Sequence, residues 1–426
     1  MPDLSHSTGT GMCFCIYGEG KERGVFMKDL KHLLYFEDLL QNANNELIEQ
    51  AKSEGKVCAA FTCENLPEPL MNLGNAFSVR LFAPNSGSLD MATYYMTSLL
   101  CETSRALLER AIEGGFNFAD CLIAADGCTM MNRAAENMEL LHTMDEGKDK
   151  FFYQFMEIPM KATENGVALL KLQCQNHILK PLHDNYGIDI SEEAMLKAVE
   201  EHNEVCRLIQ EIGEFRKEDD PRITGYEFHV LTLATYLAPK YLLIDKLRET
   251  LEELKTREPD GKKWRARVLV VGSEIDDIGM IKLIEECGTY VCADRYCFGS
   301  FPGRVPIEID PDSEDDVLTQ ICRHYTMMSQ CPRTMNMEKV YGRKKYVNDL
   351  AKEYKADGII YEQLKFCDPW AYERMLGSHM LREDYGFPVL SVDRPYNINA
   401  GAGQMRTRVQ AFIESIEIKK IQGGEK

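Results

Sequence analysis

The stretch "DGIIYEQLKFCDPW" (357–370) sets a thiol where a strand-forming run gives way to Asp-Pro, a pair suited to opening a helix. A buried strand gains nothing by delivering a cysteine to its carboxyl end, so Cys367 is either inert packing or part of a binding site. The chain holds 15 cysteines, and five others occupy comparable places. Cys63 follows "VCAAF", Cys101 stands where a helix can begin, and Cys128 ends "CLIAADGC". Cys297 follows "TYVCAD", and Cys331 sits in "SQCPRT". Soft thiolates select zinc or iron–sulfur clusters, and helix N-termini favour them because the dipole and free N–H groups stabilise negative charge. No C-x-x-C pair occurs, which argues against a zinc ribbon or a bacterial ferredoxin loop. A site gathered from separate loops fits the pattern; so does a scatter of small buried hydrophobes, and spacing alone leaves both open.

The remaining cysteines read differently. Cys58, Cys121 and Cys292 fall inside strand runs, and Cys174, Cys206, Cys287 and Cys322 inside helical patterns, where packing is the ordinary use. Cys13 and Cys15 form a CxC near the N-terminus, a weak signal for a metal-handling or surface pair, with loose tail residues the commoner case.

The elements that must position the six thiols follow from the alternation of apolar patterns. Leu30 to Ser53 reads as an amphipathic helix. Strands are expected at 57–61, 77–83, 121–128 and 151–159, with helices between them. From about Ala162 to Thr256 the pattern is helical, with Ser191 a cap followed by Glu192 and Glu193 in a first turn. "REPDGKKW" (257–264) reads as a linker. Strands resume at 266–273, 289–294, 357–363 and 387–393, and "GQMRTRVQAFIESI" forms a last helix. The expected fold class is α/β: two Rossmann-like parallel-sheet lobes joined by a helical segment. The expected divisions are 1–54, an N-terminal helical extension; 55–161, the first lobe; 162–264, the helical segment; and 265–426, the second lobe. Each lobe sends three cysteines to loops or helix starts, and in open parallel sheets the carboxyl-end loops form the ligand crevice. Two facing crevices would gather six thiols.

A net charge of −19 argues against nucleic acid, since phosphate binding needs clustered Lys and Arg. The one basic cluster, Lys419 and Lys420, reads as a solvated tail. No long apolar span and no signal pattern is present, so a cytoplasmic protein is expected. There the cysteines should not pair with one another.

"DGIIYEQLKFCDPWAYERML", "EDYGFPVLSVDRPY", "FTCENLPEPLMNLGN", "LLCETSRALLER" and "CLIAADGCTMM" occur in an order that resembles the 2-hydroxyacyl-CoA dehydratase and benzoyl-CoA reductase superfamily. The resemblance spans about residues 55 to 415. It implies that Cys101, Cys128 and Cys367 hold a [4Fe-4S] cluster with one iron open to substrate or water. Cys63, Cys297 and Cys331 exceed that set, a pattern similar to the double-cubane branch, in which two sulfide-bridged cubanes form an [8Fe-9S] cluster. Such proteins are homodimers served by an ATP-hydrolysing [4Fe-4S] reductase. Six thiolates then give three per cubane, with Cys101, Cys128 and Cys367 around one and, by subtraction, the other three around its neighbour.

The leading expectation is thus a reductase component that reduces a small substrate. Alternatives are a [4Fe-4S] subunit of a 2-hydroxyacyl-CoA dehydratase acting through a ketyl radical, a non-catalytic cluster carrier or redox sensor, and a zinc-binding structural protein. The chain has no G-x-x-x-x-G-K-[ST] phosphate loop, and "GEGKERG" (18–24) has the wrong spacing, so ATP hydrolysis falls to a partner. His324 and His379 are candidate proton donors, though solvated or hydrogen-bonded helix histidines are the commoner case. Glu362 and Gln363 could reach a cluster or substrate, yet polar residues at strand ends usually face water. Arg304 and Arg333 could offset sulfide charge, with surface pairing the ordinary use.

Overall fold

The computed structural model describes residues 29–424 apart from 85 and 260. Cys13, Cys15 and the segment 18–24 lie outside the described residues. Two four-stranded, all-parallel sheets organise the chain. The first contains β1 (Val57–Phe61), β2 (Ala76–Arg80), β3 (Cys121–Ala125) and β4 (Phe152–Met156) in the order β2-β1-β3-β4. The second contains β5 (Ala266–Glu274), β6 (Thr289–Cys297), β7 (Gly358–Leu364) and β8 (Val389–Arg394) in the order β6-β5-β7-β8. Both are wired alike. Each chain path starts in a central strand, steps to one edge, then crosses back to fill the other side. β3 and β7 are buried along their whole length, as their near-continuous apolar runs require of strands covered on both faces.

Between the sheets runs the helical segment expected from the sequence. Ser191 caps the helix Glu192–Glu214, its Oγ accepting from the Ala194 N–H at 3.3 Å. The helix Gly225–Leu237 starts with a capping box between Thr224 and Glu227, and all but one of its residues are buried. It is apolar on every side because it runs through the middle of the molecule. Gly225 permits its close approach to β6: a Cβ there would lie 2.5 Å from the Val291 carbonyl oxygen.

Two expectations fail. The single helix over 30–53 is broken into Leu33–Leu39 and Glu46–Ser53. Asn45 starts the second, its Oδ1 accepting from the N–H groups of Leu47 and Ile48 while its Nδ2 donates to the Leu237 carbonyl. A side chain that satisfies backbone groups better outside a helix has won over the apolar period. Lys419 and Lys420 belong to the helix Ala402–Gly424 rather than a loose tail, and Lys420 pairs with Asp357 at 2.7 Å.

A buried charge cluster joins the parts. Glu68, in the turn after β1, accepts from Arg304 of the loop after β6 at 2.7 Å and from Lys240 at the head of the helix Lys240–Thr256. The His202 imidazole lies 3.6 Å from the same carboxylate. All four side chains are nearly inaccessible. Removing one member strands the others as uncompensated buried charge. Glu68→Ala is therefore expected to cost about 3–5 kcal/mol, read as a fall in the urea midpoint. Burial lowers the His202 imidazole to about 3. The unfolded chain consequently binds more protons than the folded one below the ordinary histidine value, so stability falls as pH drops through about 6.5 toward 3. Glu68, held low by Arg304 and Lys240 against its burial, adds to this only below the ordinary carboxylate range. His202→Gln should therefore flatten the stability–pH curve between about pH 6.5 and 4.5, by about 1.4 kcal/mol per unit.

Candidate metal centre

Where a parallel sheet's strand order reverses, the loops beyond the carboxyl ends separate and leave a crevice. In the first sheet that point lies between β1 and β3, and in the second between β5 and β7. Cys63 lies two residues past the end of β1, and Cys128 follows β3 as the N-cap of the helix Thr129–Leu140. Cys367 follows β7 as the N-cap of the helix Asp368–Glu383. Cys101 caps the crossover helix Glu102–Ile112 leading to β3. Cys297 is the last residue of β6, and Cys331 precedes the crossover helix Met337–Glu353 leading to β7. The two crevices face each other, and all six cysteines line one cavity.

The leading repulsions between these thiols sort them into two sets. Burial raises every one, to about 12 for Cys63 and Cys128. Beyond burial, Cys63 and Cys297 each feel Cys331, whereas Cys128 and Cys367 feel Cys101, and Cys367 also feels Cys128. In the second of these sets, N–H groups of the helix first turns oppose the rise. The Met131 N–H donates to Cys128 Sγ at 3.4 Å, and the nearby N–H groups of Thr103 and Ser104 lower Cys101, and that of Trp370 lowers Cys367, without closing a cap hydrogen bond. In the first set Asn65 Nδ2 approaches Cys63 Sγ at 3.5 Å, while Asn65 Oδ1 accepts from Ser329 Oγ, which in turn accepts from the Cys331 N–H at 3.3 Å. One hydrogen-bonded chain thus fixes the Cys63 loop to the Cys331 loop across the lobes.

Two bulky residues beside cavity cysteines adopt left-handed backbone: Phe298 (φ 67°) after Cys297, and Phe366 (φ 63°) before Cys367. Such conformations persist only where surrounding structure imposes them. Here each turns the chain sharply so that the adjacent thiol faces the cavity edge of its sheet.

Among the described residues, no three His, Cys, Asp or Glu side chains converge as ligands of a single ion would. A cubane does not require this, since its thiolates bind different irons and so ring a volume rather than a point. The residues fit such a group. The donors are soft thiols, no histidine lines the cavity, and the buried Arg80 Nε and Nη1, hydrogen-bond donors suited to sulfur, lack partners.

The other cysteines behave as packing. Cys58, Cys121, Cys174, Cys206, Cys292 and Cys322 are wholly buried away from this cavity, and Cys287 nearly so. Glu362 and Gln363 do not face water: Glu362 pairs with Arg394 at 2.7 Å, and Gln363 bridges the Cys367 carbonyl and Arg374. Arg304 is not a surface residue but is consumed by Glu68 and Thr235, outside the cysteine cavity. Arg333 donates to the Ile158 carbonyl at 2.6 Å. His379 is exposed, whereas His324 lines a neighbouring cavity that shares Glu64 and Asn65 with the first.

Sequence reasoning passed over Arg80 and Glu274, the last residues of β2 and β5. They pair at 3.2 Å across the cavity, and burial raises Glu274 to about 7 against the pull of Arg80. The one available signal was a charge closing an otherwise apolar strand.

Residues 63–416 match the family model described as 2-hydroxyglutaryl-CoA dehydratase, D-component, and the chain belongs to that family. It is 23% identical to the (R)-phenyllactyl-CoA dehydratase beta subunit of Clostridium sporogenes over 89% of its own length and 97% of the relative's. It is 21% identical to the (R)-2-hydroxyglutaryl-CoA dehydratase beta subunit of Acidaminococcus fermentans over 87% and 95% of the two chains. With one of the subunits of benzoyl-CoA reductase from Thauera aromatica the identity is 20%, over 76% of this chain and 81% of the relative. These names place the chain among dehydratase- and reductase-type enzyme components. Among the described residues no helix is long and apolar enough to cross a membrane.

Proposed function

We propose that this chain is the electron-accepting component of an ATP-dependent reductase system, with Cys63, Cys101, Cys128, Cys297, Cys331 and Cys367 holding a double-cubane [8Fe-9S] cluster. The observation that carries this reading is the meeting of six thiols in one cavity, three from each lobe. When bound, the cluster supplies low-potential electrons to a small substrate. The remaining steps belong to the protein. Burial keeps each thiol protonated until metal displaces the proton, so loading releases protons. The helix starts at Cys101, Cys128 and Cys367 then offer N–H groups to the thiolates that result. The neighbouring cavity reaches the Cys63 loop through Glu64 and Asn65 and is where a small substrate would lie. Burial lowers His324, on its wall, to about 4, so at pH 7 its imidazole is neutral and offers a substrate one N–H donor and one acceptor nitrogen without bringing charge. Electrons would come from an ATP-hydrolysing [4Fe-4S] reductase, and two copies of this chain, in the cytoplasm, are the assembly this reading expects.

The relatives' names favour a second reading, in which the chain is a dehydratase subunit with one [4Fe-4S] cluster on Cys101, Cys128 and Cys367. Iron and acid-labile sulfide on anaerobically purified protein separate the two: about eight irons per chain against about four. Substitutions sharpen the contrast. Cys367→Ser should lose at least half the iron in either case, but Cys331→Ser should do so only with two cubanes. Full iron retention in Cys367→Ser would refute both. The isolated chain should also hydrolyse no ATP, and turnover should appear only when a reductase partner is added, as a coupled phosphate-release assay would show.

A further inference from the structure

Arg80 is a buried cation whose hydrogen-bonding capacity is mostly unused. Its side chain is 2% exposed, and of its donors only Nη2 has a partner, the Glu274 carboxylate at 3.2 Å. Nε and Nη1 are buried without one. The guanidinium carbon lies over the Phe298 ring, 3.6 Å from its centroid, a cation–π contact that restrains the group. The ring beneath it is one of the two in left-handed backbone, so the chain accepts local strain to supply that surface. Arg80 lines the six-cysteine cavity together with Cys63, Cys297 and Cys331. A delocalised cation with two nitrogens left without acceptors is costly to bury unless an acceptor is brought to it.

Its place in the fold sharpens the point. The two sheets share one wiring, so their strand ends correspond. Cys128 answers to Cys367, and the cysteines ahead of the two crossover helices, Cys101 and Cys331, answer to each other. At the two remaining pairs of positions the symmetry is broken. The second strand of one sheet ends in Arg80 where the other ends in Cys297, and the first strand of one leads to Cys63 where the other ends in Glu274. An ion pair therefore stands where a symmetrical molecule would hold two more thiols.

We propose that Arg80 is a positioning residue for the cofactor, its Nε–H and Nη1–H donating to sulfur on the Cys63–Cys297–Cys331 side and its charge making that side the easier to reduce. This rests on the iron–sulfur reading above and goes beyond it in making the two halves of the cluster electrically unequal. Reduction adds one electron, supplied by the ATP-dependent reductase or, in the test, by titanium(III) citrate. A fixed cation beside the acceptor favours the more negative product, and hydrogen bonds to sulfur act in the same direction.

The test is an EPR-monitored redox titration of anaerobically loaded wild type, R80M and R80K with titanium(III) citrate. R80M should lower the equilibrium constant for one-electron reduction about tenfold, a shift of about 59 mV to more negative potential. R80K, which keeps the charge and loses the fork, should shift in the same direction by less. In protein labelled with ¹⁵N-arginine, pulsed EPR should detect a guanidinium nitrogen coupled to the reduced cluster, and R80K should lose that coupling. Iron-replete R80M with an unchanged potential overturns the proposal. If R80M does not fold or load, R80K decides: an unchanged potential and no nitrogen coupling in wild type overturn it equally. Wild type that takes up no iron would instead refute the iron–sulfur reading itself, so the two failures are distinct.

Discussion

Glu68 holds the molecule in the arrangement on which everything else depends. Its carboxylate comes from the first lobe, Arg304 from the second and Lys240 from the helical segment between them, all within a space closed to water. Buried charges of this kind add little net stability over well-packed apolar groups, but they discriminate strongly between arrangements, because any slip leaves a charge unmatched. Apolar packing, which also crosses the lobes, is far more tolerant of such slips. The orientation of the crevices is therefore fixed by charge, and the cavity between them inherits that definition.

Given facing crevices, topology does the rest. A parallel sheet that reverses its strand order must open its loops at the reversal, and two sheets wired alike open in corresponding places. Thiols separated by up to 304 positions in sequence, from Cys63 to Cys367, then line one space. Hydrogen bonding across the seam, from Cys63 through Asn65 and Ser329 to Cys331, ties loops that no backbone ladder connects. In the second set each member is an N-cap and so stands at a helix start, and Cys128 already accepts an N–H from its own helix.

The legible parts of the sequence were those governed by local rules. Strand runs, the Ser191 cap, the Asp-Pro start after Cys367 and the irregular 257–264 stretch depend on residues close together, and the observed element boundaries lie within a few residues of expectation. The cavity cysteines stood out because thiols at strand ends have no packing rationale. What stayed hidden depends on partners far away. Asn45 breaks a well-patterned helix because of the Leu237 carbonyl 192 positions on. Glu362 and Arg304 look like surface charges until Arg394 and Glu68 are placed against them. Arg80 closes an apolar strand in a way that reads as an ordinary exposed end, and its significance exists only relative to Glu274 of the other lobe.

The asymmetry between the halves has a physical logic of its own. A cavity lined by thiolates on every side would concentrate negative charge in a protein already at −19, with no cation to meet it. Placing one permanent cation at a strand end, rather than at the end of a long surface side chain, fixes its distance from the thiols through the backbone itself. Burial strengthens the effect, since a charge excluded from water acts over a longer range than an exposed one. Glu274 holds the guanidinium at one end and the Phe298 ring packs against it, while Nε and Nη1 remain buried without partners in a residue that lines the cavity. Such a cation biases the cavity permanently, whereas a histidine in its place would lose that bias over the physiological pH range.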